Sequence, residues 1–161
     1  MKEEKVKPSL YQSTPVIDAN WVGSDQVAHS NSAMQIHKHL ILCVDDDVLG
    51  TTLRAEALRE HGYSVFIYHS PFAVLHCDLS VFDLAILDFA MPGLNGRELL
   101  LRMRTLGARF PIVLLTGSLN TLSREDLVLF ARCIDKSMPM QYLLDTLAEF
   151  LDPSQVPDCC S

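Results

Sequence analysis

The sequence predicts an α/β domain: a doubly wound, five-stranded parallel sheet held between two layers of helices, a three-layer αβα arrangement. Three observations predict it. Short apolar runs, Leu40–Val44, Leu84–Leu87 and residues 111–115, lack the polar alternation of a half-exposed strand and suit strands covered on both faces. Segments of helical period separate them at the spacing of βα units, and right-handed crossovers then distribute the helices over both faces of the sheet. Finally, the runs end on polar residues, Asp45, Asp88 and Thr116, which cannot share the burial of the strands that deliver them.

The elements follow in order. Leu40–Val44 is the first strand and ends in Asp45-Asp46-Asp47. The next helix is expected to bury a stripe of Leu49, Leu53 and Ala57, with Gly62 placed to end it. Ser64–Tyr68 supplies the second strand, and Ser70-Pro71 reads as an N-cap with proline in the first turn of a short helix running towards Cys77. Leu84–Leu87 is the third strand. Asn95 caps a helix expected to bury Leu99, Met103 and Leu106, Gly107 closes it, and residues 111–115 form the fourth strand, running into Thr116. Ser123 and Asp126 make a capping-box-like start to the fourth helix. A brief strand at 133–135 precedes Lys136. The last helix, from about Pro139, buries Leu143, Leu144, Leu147 and Leu151 and is stopped by Pro153.

The domain is thus expected over residues 38–151. Residues 1–37 are polar and irregular, with Pro8, Pro15, a Ser/Asn-rich stretch and one apolar cluster of Val16, Ile17, Trp21 and Val22; they are expected to be a disordered leader. Residues 152–161 form a tail too short for a second domain.

Composition narrows the function. A 161-residue chain with 48% hydrophobic residues has material for one core, and a net charge of -7 with pI near 5.2 argues against direct nucleic-acid binding through a basic face. No apolar run reaches the ~20 residues of a bilayer span, and the N-terminus lacks the apolar core of a secretory signal. A cytoplasmic protein away from membranes is expected. The five cysteines, Cys43, Cys77, Cys133, Cys159 and Cys160, show no metal spacing and suit free thiols in a reducing compartment.

The polar residues at the strand ends belong together. Asp45 and Asp46 follow the first strand, Asp88 the third, Thr116 ends the fourth, and Lys136 follows the fifth. In open parallel sheets the carboxyl ends of the strands are where ligands collect. Neighbouring carboxylates repel unless a cation is shared, and an oxygen-only cluster is what magnesium prefers. Such an ion, an ammonium and a hydroxyl beside Asp88 would orient and neutralise a transferring phosphoryl group, with Asp88 as nucleophile.

Asp88-x-x-Met91-Pro92-x-x-x-Gly96, with Val44-Asp45-Asp46, Leu115-Thr116-Gly117 and Lys136, resembles the receiver domain of two-component response regulators, over residues His39 to Leu151. The resemblance implies a (βα)5 flavodoxin-like receiver fold without an output domain, which signals through protein contacts. It implies that Asp88 accepts phosphate from a histidine kinase or a phosphotransfer protein. It also implies that Mg2+ is held by Asp45, Asp46, Asp88 and the backbone carbonyl of Ala90, and that Thr116 and Lys136 contact the phosphoryl oxygens. Asp47 falls at a position the family leaves variable and is not expected to be a ligand. The chain is then no enzyme beyond its own phosphorylation and dephosphorylation. A downstream protein effector, reached through the fourth helix, fifth strand and fifth helix, is implied, and a homodimer through the same face is compatible with it.

Two departures keep open an alternative, a degenerate docking module that takes no phosphate. Ser137 follows Lys136 where the family usually has proline, so the Lys136-Ser137 bond is expected to be trans. Cys133 stands where the family commonly has an aromatic that changes rotamer, an atypical switch position. Two other classes fit less well. A flavin binder needs a phosphate-cradling loop after the first strand, where three aspartates would repel the phosphate. A phosphatase of the haloacid-dehalogenase type would need threonine at Leu49.

Overall fold

The computed structural model describes residues 39–152; the expected leader at 1–37 and the tail from 153 lie outside the described residues. Five parallel strands run in the order β2-β1-β3-β4-β5, with β1 Leu40–Val44, β2 Ser64–Tyr68, β3 Leu84–Leu87, β4 Ile112–Thr116 and β5 Arg132–Asp135. The helices between and after them are α1 Val48–Glu60, α2 Pro71–Val74, α3 Gly96–Thr105, α4 Arg124–Leu127 and α5 Met140–Leu151, with 3-10 turns at Leu79–Val81 and Leu119–Thr121. Strand order reverses between β1 and β3, so the crevice beyond their carboxyl ends is the topological switch point of the sheet.

Alternation along each strand divides the core. Leu42, Val44, Ala85, Leu87, Ile112 and Leu114 face one side, where Leu99, Leu100 and Met103 of α3 and Phe130 cover them. Ile41, Cys43, Leu84, Ile86, Val113, Leu115 and Ile134 face the other, against Ala55 and Leu58 of α1 and Leu143, Leu144 and Leu147 of α5. Each fully buried leucine is worth about 1.5–3 kcal/mol of transfer free energy, so both helical layers are held mainly by this apolar contact.

Three expectations about helix faces need correction. On α1, Leu49 and Leu53 are 70% and 58% exposed and Ala57 is half-buried, whereas Thr51, Ala55 and Leu58 face the sheet. Leu49 and Thr51 lie about 200° apart around a helix, so the inward face is nearly opposite the expected one. Asp47 caps the helix, its side chain accepting the Gly50 N–H at 3.1 Å, and packing against the sheet selects the face on which Thr51 and Ala55 are small. On α3, Leu99 and Met103 are buried as expected, but Leu106 is exposed because it forms the C-cap, from which the chain turns away through Gly107 at φ +99°. Leu151 at the end of α5 is only half-buried.

The caps are otherwise as expected at Asn95 and Ser123, where both bonds of the capping box are present. Ser70 occupies the N-cap of α2 with Pro71 in the first turn but makes no side-chain cap bond, and α2 ends at Val74. No cis peptide bond occurs among the described residues, so Lys136-Ser137 is trans.

Candidate functional site: an acidic cleft at the switch point

Strand register carries Asp45 and Asp88 to the same rim. Val44 pairs with Leu87, so the residues following them emerge side by side, and the Asp88 N–H donates to Val44 O at 2.9 Å. Asp45 and Asp88 are 2% and 5% exposed, while Asp46 stands open at the mouth. One carboxylate oxygen from each of the three lies within 4.8 Å of the others, an oxygen-only grouping sized for one divalent ion.

Lys136 joins the two buried carboxylates. Its Nζ lies 2.9 Å from Asp45 Oδ2 and 3.1 Å from Asp88 Oδ1. Burial by itself depresses the lysine pKa, but hydrogen bonds to Asp45 and Asp88, and their charges, outweigh it and hold the ammonium above its ordinary value. The lysine is placed by its backbone, whose N–H donates to Thr116 O at 2.9 Å where β5 leaves the sheet. The second Asp88 oxygen accepts the Ala90 N–H at 3.2 Å, so the carboxylate is gripped from both sides. Thr116 is 1% exposed at the end of β4, and its Oγ1 accepts the Ser118 N–H at 3.2 Å.

Behind Asp88 the loop folds back tightly. Gly96 N–H donates to Phe89 O at 2.9 Å, and a Cβ added at Gly96 would lie 2.5 Å from the Asp88 carbonyl oxygen. This approach demands glycine for lack of a side chain, not for its backbone freedom. Asn95 caps α3 beside it, accepting the Glu98 N–H at 2.9 Å.

Asp47 is taken up in capping α1 and is not one of the three acids of the cluster, which are Asp45, Asp46 and Asp88. Cys133, opposite Leu114 in the β4–β5 register, is half-buried, donates its thiol to Leu127 O at 3.7 Å, and has its pKa pushed up by burial. Cys43, in the core, is pushed up to about 12, and Cys43, Cys77 and Cys133 are all free thiols. Two contributors escaped the sequence. Arg54 Nη1 reaches Asp45 Oδ2 at 3.3 Å from α1. Its signal was its position seven residues after the Asp47 cap, about two turns, which returns it to the same helical face. Gly96 was visible as a motif residue but not as a contact.

The set combines a buried, doubly held carboxylate, a bridging ammonium, an exposed second acid and a hydroxyl at the rim. Comparison with known proteins agrees with it. The chain is 38% identical over 78 residues to the regulatory protein VanR of Enterococcus faecium, covering 48% of this chain and 33% of that protein. It is 28% identical over 134 residues to the sensor histidine kinase RcsC of Salmonella typhimurium, covering 80% of this chain and 13% of that protein. The chain thus spans about a third or less of these curated relatives. Among solved structures, the response regulator TrrA from Thermotoga maritima, in complex with Mg(2+)-BeF, superposes with a TM-score of 0.65 at 29% identity, covering 70% of this chain and 99% of that one. Since residues 41–147 also match the model of the response regulator receiver domain, the chain belongs to that family.

Proposed function

We propose that this receiver domain accepts a phosphoryl group on Asp88 from a sensor histidine kinase or phosphotransfer protein and signals by protein contact. The observation that carries the proposal is Lys136, whose ammonium bridges Asp45 and Asp88 at 2.9 and 3.1 Å beside the open Asp46. An Asp88 oxygen attacks phosphorus, the bond from phosphorus to the donor nitrogen breaks, and the imidazole leaves, so an acyl phosphate forms on the carboxylate. Lys136 and the Ala90 N–H hold the nucleophile in one orientation, and near-complete burial of Asp88 leaves it approachable only through the cleft mouth. Lys136 then stays as a positive partner for phosphoryl oxygens, and Thr116 supplies a hydroxyl at the same rim. Asp45, Asp46, Asp88 and the Ala90 carbonyl would hold Mg2+, which when bound neutralises charge on the transferring group. The 4.8 Å grouping of carboxylate oxygens fits such an ion.

Catalysis in this reading is confined to the domain's own phosphorylation and dephosphorylation. Exposed Val48, Leu49 and Leu53 on α1, next to the acidic loop, offer an apolar surface for the phosphodonor protein. The effector would read the region of α4, β5 and α5, which also offers a homodimer surface. No helix among the described residues is long and apolar enough to cross a membrane, and the free thiols suit a cytoplasmic setting.

The docking-only alternative is less favoured because the acids and the lysine are all in place. The decisive experiment incubates the chain with acetyl phosphate and Mg2+ and measures intact mass. A single phosphate adduct is expected in wild type and none in Asp88→Asn; an undiminished adduct in the variant would refute the assignment, and none in wild type would favour the docking module.

A further inference from the structure

We propose that Arg54 is a resident counter-ion of the acidic cleft that competes with a divalent cation for Asp45 and thereby sets how tightly this domain holds magnesium. The inference rests on the reading of the cleft as a magnesium-dependent phosphoacceptor site.

Asp45 has little left to offer a metal as it stands. Its Oδ1 accepts the Asp47 N–H at 3.0 Å, and its Oδ2 carries two cations, Lys136 Nζ at 2.9 Å and Arg54 Nη1 at 3.3 Å. The two cations differ in their commitments. Lys136 also holds Asp88, so it is tied to the nucleophile, whereas Arg54 has no other hydrogen bond or ion pair among the described residues. Its side chain is 13% exposed and that of Asp45 3%, so solvent and salt screen the pair far less than a surface ion pair. Three carboxylates therefore share two side-chain cations before any metal arrives. A divalent ion coordinating Asp45 must either displace the guanidinium from Oδ2 or tolerate like-charge repulsion a few ångströms away. Lys136 is held in place by its second contact, to Asp88. Arg54 can yield, because its long side chain springs from the flank of α1 and can swing towards water.

Removing the charge while keeping a polar side chain isolates the effect, and Asp45 retains Lys136 and the Asp47 N–H in its absence. Mg2+ binding to the full chain, without phosphodonor, is measured by titration calorimetry. Arg54→Gln is expected to bind Mg2+ about tenfold more tightly than wild type, a gain of about 1.4 kcal/mol. Arg54→Met should do the same, and Arg54→Lys, which keeps the charge, should stay within about threefold of wild type. Affinity unchanged or weakened in both neutral variants would overturn the proposal. Wild type provides a test that needs no substitution: the Arg54 Nε–H resonance should shift on Mg2+ addition with the calorimetric midpoint, and a resonance unmoved at saturation would overturn it. Asp46→Asn separates the two readings. Mg2+ binding lost in Asp46→Asn but unaffected by Arg54→Gln sinks only the role of Arg54; no Mg2+ binding by wild type sinks the metal site and this inference together.

Discussion

Gly96→Ala sets two well-characterised effects against each other at the back of the cleft. Gly96 is the first residue of α3 and does not have a positive φ, so by helix propensity alone alanine should stabilise by up to about 1 kcal/mol. The structure predicts the opposite sign. The new methyl carbon would lie 2.5 Å from the Asp88 carbonyl oxygen, 3.0 Å from Phe89 Cα and 3.2 Å from the Asp88 carbonyl carbon. The closest of these is roughly 1 Å inside ordinary contact distance. All three are backbone atoms, which cannot rotate away as a side chain would, and the bond from Gly96 N to Phe89 O clamps the approach. Overpacking of this kind costs about 1–3 kcal/mol, which exceeds the propensity gain. A net loss of about 1–2 kcal/mol should lower Tm by roughly 3–10 °C for a domain of this size. Relief of the clash must move the segment bearing Asp88, so the initial rate of phosphorylation by acetyl phosphate should fall at least about tenfold, since misplacement of about 1 Å can cost as much as 100-fold. Thermal unfolding by circular dichroism and timed intact-mass measurement test both effects. A variant that melts at or above the wild-type temperature and phosphorylates at the wild-type rate would refute the claim that this contact is rigid.

Other expectations follow from individual side chains. Asp46→Asn should abolish most of the rise in Tm produced by Mg2+, whereas Asp47→Ala should lose about 1 kcal/mol through its cap yet keep that rise; equal loss in both would deny the distinction between ligand and cap. Asp126 accepts hydrogen bonds from Ser123 and from Arg97 at 2.8 Å, and these hold its carboxyl below the usual range. With the folded pKa below the unfolded one, its contribution is complete above about pH 4 and fades as pH falls through the folded value. Asp126→Asn should thus be less stable than wild type at neutral pH and converge with it in acid, and a constant gap across an acid titration would contradict this. Hydrogen exchange with beryllofluoride, standing in for the phosphoryl group on Asp88, should change protection between residues 117 and 126 more than at Cys133 and Ile134. A thiol sweeps too little volume to repack β5 as a ring would, so changes centred on β5 alone would overturn that expectation.

The sequence by itself determined what depends on near neighbours. β1 and β3 have the bounds read from their apolar runs because a strand buried on both faces admits no polar residue until it leaves the sheet, and the edge strand β2 also has the bounds expected although its Ser64 and Phe66 are exposed. For the same reason Asp45, Asp88 and Thr116 had to sit at the rim, and Asn95 and Ser123 had to cap helices, since caps close over three residues. The tertiary structure alone decided the rest. The face that α1 buries depended on how closely the helix lies on the sheet, so small Thr51 and Ala55 displaced larger Leu49 and Leu53 from the interior. That Lys136 bridges Asp45 and Asp88, that Arg54 adds a second cation to Asp45, and that Gly96 presses on the Asp88 backbone are contacts between segments 8 to 91 residues apart. Strand register and helix phase create them, and neither is a property of any one segment: both are set when the sheet and its two helical layers pack together.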